Sequence, residues 1–491
     1  MYMKHFCGGF NNQKVCLLSM KAKVTTTVIL LFCFIAAFCV FQGWNNNKSI
    51  FVGVSVPIST QTCPRDYPTS HNTTNNPSRQ QNLTCPSYFR YIHEDLRPWK
   101  EKGITRKMVE GARKTAHFRL VILDGRVYVE KYRQSIQTRD MFTLWGFLQL
   151  VRLYPGRLPD LELMFDCDDK PVFKVAKFKG FGAAPPPPLF RYCSDKWSLD
   201  MVFPDWSFWG WAETNIKPWR HVSKDIKEGN KRTKWKDRVP YAYWKGNPYV
   251  APTRMDLMKC NVSAQNDWNT RLYIQDWIQE SNQGFKKSNL EDQCTHKYKI
   301  YTEGWAWSVS EKYILACDSM TLYIRPMFYD FFIRGMEPLK HYWPISDKNK
   351  CTSLKFAVEW GNNHTDKAQE IGEAASKFIQ EDLYMDYVYD YMFHLLNEYA
   401  KLLRFKPKIP PRSVEYCPEI MASAVKGTWR RFMEESMVKF PSDSNPCNMP
   451  PPYDPLILQG IIDRKDSLTR QVENWENEYW QSKNKGQLYL A

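Results

Sequence analysis

The 491-residue chain is 43% hydrophobic and 24% charged, the balance of a globular protein of two or three domains. That excludes a mostly disordered chain and a multi-pass membrane protein. Lys and Arg (68) outnumber Asp and Glu (52), and the net charge of +16 favours an anionic ligand or surface.

Residues 24–43 open on the uncharged run VTTTVILLFCFIAAFCVF, just long enough to cross a bilayer. Lys4, Lys14, Lys21 and Lys23 precede it, and the first acidic residue is Asp66. The positive-inside rule therefore keeps residues 1–23 in the cytosol and sends the remainder to the lumen. A cleaved signal peptide is the competing reading, but the long basic leader favours a transmembrane signal anchor. Residues 44–90, rich in Asn, Thr, Ser and Pro, read as a lumenal stem. Sequons stand at Asn47, Asn72, Asn82, Asn261 and Asn363. Ten cysteines beyond the anchor allow up to five disulfides in an oxidising compartment. None has zinc-site spacing, so no structural metal is expected.

Strands are expected at 118–123 and 126–131, flanking the hairpin signal Asp124-Gly125. A buried helix follows at 141–153, then an apolar strand at 161–165. Shorter strands are read at 189–193, 241–244 and 298–301, and helical spacing runs through 366–403. This alternation argues for parallel sheets covered by helices, with ligands at the carboxyl ends of strands. The charged run KDIKEGNKRTKWKDR sets a boundary near 220–238, dividing domains 91–235 and 236–405 from an extension at 406–491.

Asp166, Asp168 and Asp169 close the 161–165 strand, where a parallel-sheet enzyme would hold a general base. Asp166-x-Asp168 also has the form of a divalent-cation pair, and the plainest reading is an acidic turn. Lys245 and Gly246 in YWKGN, with Arg254 beyond, suit a phosphate, or else a strand turning into solvent. Residues 303–312 (EGWAWSVSEK) offer backbone amides to a diphosphate, or a helix cap. The run FPDWSFWGW at 203–211 presents flat aromatics to a sugar or peptide, or fills a core. No GxSxG or HExxH stands in the chain, which disfavours serine hydrolases and zinc proteases.

These segments, GRLPDLELMFDCDDKP, FPDWSFWGW, YWKGN with its following Arg, and EGWAWSVSEKYILACDS, resemble in order and spacing the Rumi-type protein O-glucosyltransferases, most closely the plant branch. The resemblance covers roughly residues 100–400. It implies a GT-B architecture, two Rossmann-like domains facing across a cleft, and inverting transfer from a UDP-sugar (glucose or xylose) to a hydroxyl of a protein or polysaccharide. It implies Asp169 as base, from the Asp-x-Pro pattern at Asp169-Lys170-Pro171. It also implies donor contacts from Phe142, Lys245, Gly246, Arg254 and the turn Ala306, Trp307, Ser308, Val309, Ser310. Ser310 stands where animal members carry Arg, so Lys312 is expected to supply that charge. Asp168 stands where they carry Arg before the base, which bears on acceptor or metal preference. Trp206, Phe208 and Trp209 are expected on the acceptor side, and Cys294 is expected to pair with Cys317. No cofactor is required on this reading, and no nucleic acid is bound. Metal-dependent transfer through Asp166 and Asp168, or a non-catalytic glycan-binding role, are the alternatives. Soluble lumenal members end in a KDEL-like signal; an anchor in its place points to the Golgi membrane, single-pass type II.

Overall fold

The computed structural model describes residues 63–64, 83–180 and 182–488, with side chains up to residue 483. The expected anchor at 24–43, most of the stem and Asn47, Asn72 and Asn82 lie outside the described residues. Among the described residues no helix is long and apolar enough to cross a membrane.

Asp124 and Gly125 both take positive φ (49° and 72°), the geometry of a two-residue hairpin turn. They join β1 (Phe118–Leu123) to β2 (Arg126–Lys131) with Leu123 opposite Arg126. Helix α1 (Arg139–Leu153) then leads to β3 (Leu161–Phe165), which runs antiparallel to β1. On the far side of β3, β4 (Phe190–Arg191) pairs parallel to it, after which the chain forms β5 (Ser194–Asp195) and β6 (Met201–Val202). The first sheet has the order β13-β2-β1-β3-β4-β6, closed at its edge by the late strand β13 (Val414–Tyr416). Three of the five pairings in this sheet are antiparallel, so it is mixed where the alternation of elements suggested parallel sheets. The β1–β2 reversal is the hairpin expected at Asp-Gly, since parallel neighbours need a long crossover.

The second sheet is wholly parallel. Its strands are β7 (Val239–Gly246), β8 (Thr270–Ile274), β9 (His296–Tyr301), β10 (Met320–Ile324) and β12 (Trp343–Ile345), in the order β12-β10-β9-β7-β8. The order reverses between β7 and β9, so the crevice at their carboxyl ends is the topological switch point where such sheets bind ligands. Short β11 (Phe328–Tyr329) pairs with β5 and so ties the two halves together.

The charged run at 224–238 lies between β6 of the first sheet and β7 of the second; its first part, to Arg232, closes helix α2 (Trp219–Arg232), which buries Trp219, Val222, Ile226 and Gly229. Gly229 packs so closely that a Cβ there would meet the Glu291 carbonyl at 2.4 Å. The short helix α3 (Ser310–Leu315) is wholly enclosed apart from Ser310. The expected helical stretch resolves into α5 (Thr365–Glu381) and α6 (Met385–Leu402), preceded by α4 (Lys350–Asn363). One hydrophobic core fills the first sheet with α1 and α6; a second lies around the parallel sheet and α4. Helix α7 (Pro455–Leu488) lays Val472, Trp475 and Tyr479 on that second core. The 406–491 segment thus completes both halves.

Four disulfides form: Cys63–Cys417, Cys85–Cys447, Cys260–Cys351 and the expected Cys294–Cys317. Cys167 and Cys193 stay as buried thiols, so the ten cysteines do not make five bridges.

Candidate active site

Strand β3 is apolar and buried at every residue, and the chain turns polar as it leaves the sheet at Asp166. Asp166 is itself buried, bound by Arg191 and by Arg133 (3.1 Å), and 3.0 Å from His117 Nδ1. Burial pushes its carboxyl up, but His117, Arg191 and the Asp168 N–H outweigh that and hold it below the ordinary range. Arg191 also grips the Asp168 carbonyl (3.1 Å) and that of Lys170, while Asp200 accepts from the Val172 and Phe173 amides at 3.0–3.1 Å. The loop after β3 is therefore rigid.

Asp169 is 30% exposed, and its Oδ1 accepts from Arg139 Nη1 at 2.7 Å. Arg139 opens α1 and lies 4.3 Å over the Trp206 ring, which fixes the guanidinium from below. Among the described residues no donor reaches Asp169 Oδ2, so that oxygen is the one presented to a ligand. Asp168 is half exposed and bound by Arg133 at 2.8 Å. His117, Asp166 and Asp168 have ligand atoms within 4.8 Å of one another, a donor set suited to a divalent cation. Two arginines already neutralise Asp166 there.

Across the crevice, Arg254 spans the switch point. Its Nε donates to the Glu303 carbonyl (2.9 Å) after β9, Nη1 to the Asn247 carbonyl (3.3 Å) after β7, and Nη2 to Ser308 Oγ (2.9 Å). No carboxylate among the described residues pairs with it, and burial lowers its guanidinium to about 10. A desolvated cation without an anion is costly unless a ligand supplies one. Glu303, beside it, is pushed up to about 7 by burial although it accepts from the Met327 and Phe328 amides. The two sides meet where Lys170 Nζ sits 3.6 Å over the Trp305 ring, and Tyr192 packs on Trp307.

Residues 80–476 match the profile of glycosyl transferase family 90. The chain belongs to glycosyl transferase family 90. This family 90 glycosyltransferase is similar to human protein O-glucosyltransferase 1, 27% identical over 67% of this chain and 83% of that one. It is also similar to the O-glucosyltransferase rumi homolog of Aedes aegypti (26%, 68% and 82%) and to O-glucosyltransferase rumi of Drosophila melanogaster (22%, 67% and 80%). The Rumi-type resemblance read from the motifs therefore holds. Among solved structures, Anabaena HepE in complex with UDP and glucose matches at 10% identity, covering 36% of this chain and 54% of that one. Its TM-score of 0.26 is too low to inform the fold.

Within this glycosyltransferase several expected contacts fall elsewhere. Phe142 is fully buried on α1 in the first core, so it has no face to offer a uridine. Trp206, Phe208 and Trp209 are likewise core; Trp209 donates to the Tyr389 hydroxyl at 3.0 Å and fills the space left by Gly146. Lys312 is buried and paired with Asp205 at 3.1 Å. Burial disfavours its charge, but Asp205 carries the ammonium above its ordinary value, so this cation pins α3 and is not available to a diphosphate. Ala306 and Trp307 are buried, Ser308 nearly so, and Ser310 is linked to Ser308 Oγ at 2.8 Å, with Val309 partly exposed beside them. Lys245 and Gly246 end β7 as expected, with Lys245 Nζ on the Lys287 carbonyl. Asn363 is exposed at the end of α4, whereas the Asn261 amide donates to and accepts from the Leu272 backbone (3.1 and 3.0 Å).

Sequence reading missed His117, Arg133, Arg139 and Arg191, which reach the carboxylates from other elements, and it missed the exposed Trp305. Only Trp305 carried a local signal, a large apolar residue inside a Gly-bearing turn.

Proposed function

We propose that this glycosyltransferase is a GT-B type enzyme that moves glucose or xylose from a UDP-sugar to a hydroxyl of a protein or glycan, with inversion. Asp169 is the base. Its Oδ2 takes the acceptor proton, the acceptor oxygen bonds to the anomeric carbon, and the bond to UDP breaks on the opposite face. The observation that carries this reading is the pair of facing features: a clamped carboxylate with one free oxygen, and Arg254 without an anion at the switch point. The names of the curated relatives, O-glucosyltransferases, favour glucose.

The reading needs no divalent cation, because Arg133 and Arg191 already balance Asp166 and Arg254 faces the leaving group. Residues 24–43 would anchor it in the Golgi membrane on this reading; the four disulfides among the described residues support only the oxidising, lumenal setting of the body.

The test is UDP release by the secreted body (residues 45–491) against a panel of UDP-sugars, with and without EDTA. One donor should be hydrolysed with or without EDTA, and Asp169→Asn should lower the rate about 10²–10⁴-fold. Release abolished by EDTA would move the chemistry to Asp166 and Asp168. Absence of both hydrolysis and UDP binding would leave a glycan-binding protein.

A further inference from the structure

The loop that leaves the base carries a row of cations, three of them without an acidic partner among the described residues. Lys170, Lys177 and Lys179 are exposed, and no carboxylate among the described residues lies within ion-pair distance of any of them. Lys174, between them, is paired with Asp195 at 2.6 Å and touches Ser198 Oγ at 2.8 Å. That pairing fastens the loop to the 195–199 segment, together with Val175 N–H on the Trp197 carbonyl (2.7 Å) and Leu199 N–H on the Phe173 carbonyl (2.9 Å). The second segment adds another exposed cation, Lys196, lying 4.6 Å over the face of Trp197. Asp195, the acid of this lip, is buried beneath it.

Two indoles flank the cations. Trp197 is 50% exposed and Trp305 54%, although Ala306 and Trp307 beside Trp305 are buried. Each has an ammonium on one face, Lys196 and Lys170 respectively. The five-residue step from Lys170 to Val175 spans at most about 17 Å, enough for a chain of several sugar rings. An indole face packs against the C–H face of a sugar ring, and an ammonium at its edge pairs with a carboxylate on the same ring.

We infer that this lip is an acceptor subsite for an anionic polysaccharide, a chain of uronic acid residues, held between Trp305 and Trp197 with its carboxylates on Lys170, Lys177, Lys179 and Lys196. The inference rests on the transferase reading above, since it takes the surface beside Asp169 as the acceptor side. Flat faces and cations gathered from three segments, with Lys177 on the short helical turn Val175–Phe178, match a ligand that carries both sugar faces and carboxylates.

The test uses fluorescent oligogalacturonide and neutral cello-oligosaccharide as probes on the secreted body, with donor hydrolysis measured separately. The oligogalacturonide should bind at least roughly tenfold tighter than the neutral chain at low salt, with the gap closing as salt rises. Lys177→Ala/Lys179→Ala/Lys196→Ala should cost about tenfold for the charged probe alone. Trp197→Ala should weaken both probes. Equal binding of the neutral chain overturns the proposal, as does charged-probe binding indifferent to the triple variant or lysine-dependent binding confined to an acidic folded protein. Lysine-dependent binding with neither donor hydrolysis nor UDP binding overturns the transferase reading and with it the acceptor role, leaving a polyuronide-binding lip. Hydrolysis without such binding overturns the subsite alone.

Discussion

Arg139 reaches Asp169 from thirty residues away and holds one of its two carboxylate oxygens at 2.7 Å. Such a clamp orients the free oxygen towards the acceptor hydroxyl. Arg139→Met should therefore cost turnover more than donor binding. Arg139→Lys, which keeps a donor near the carboxylate, should recover part of that turnover. A kcat loss that the lysine variant does not relieve would reduce Arg139 to a packing residue. The acidic cluster itself was readable, because polar residues end a five-residue apolar strand. Its arginines were not: Arg139, Arg133 and Arg191 lie in separate segments that only the fold brings together. Phe142 and Trp206 are buried, a placement the sequence left open because an aromatic side chain looks the same in a core as at a binding face.

At the scale of single elements, boundaries were legible wherever turn chemistry was strong. The strands at 118–123, 126–131 and 161–165 begin and end as read, because Asp-Gly and the acidic cluster punctuate them. The antiparallel direction of the first two was legible in the same Asp-Gly turn, while the pairing of β3 with β1 was not, since it is decided between distant segments. The run at 224–238 was read as a break because it is polar and charged, while Ile226, Gly229 and Asn230 mark the buried side of α2 within it. Strand β9 carries a second buried surprise. Lys299 is 4% exposed, lies 3.4 Å from Cys317 Sγ, and has its ammonium lowered to about 7 by burial and then Arg238. Below about pH 7 the folded state carries that cost in full. From there towards about 10.4 the unfolded chain binds the extra proton, so stability rises with pH. Lys299→Met should thus raise Tm most at pH 6 and progressively less by pH 9, as followed by thermal melts. A pH-independent difference would show that volume, not charge, governs the site.

Across the whole molecule, each half depends on the end of the chain. Strand β13 closes the first sheet, and α7 covers Trp343, Trp360 and Phe356 of the second core through Trp475 and Tyr479. Sequence reading set 406–491 apart only as an extension; Val472 and Trp475 reveal their role only beside the sheet they cover. A chain ended at Asp454 should lose stability by on the order of several kcal/mol in the second half. Calorimetry should then resolve an early transition for that half ahead of the first; one unsplit transition at the full-length temperature would show α7 to be dispensable.

The disulfides Cys63–Cys417 and Cys85–Cys447 close over separations of 354 and 362 residues. During vectorial synthesis at about 5–20 residues per second, the early thiols wait roughly 20–70 s for partners. Over that interval Cys167 and Cys193, which end as free thiols, emerge first and compete for them, followed by Cys260 and Cys294. Maturation is therefore timed by the ribosome, and correct pairing calls for an oxidant that can also undo premature bridges.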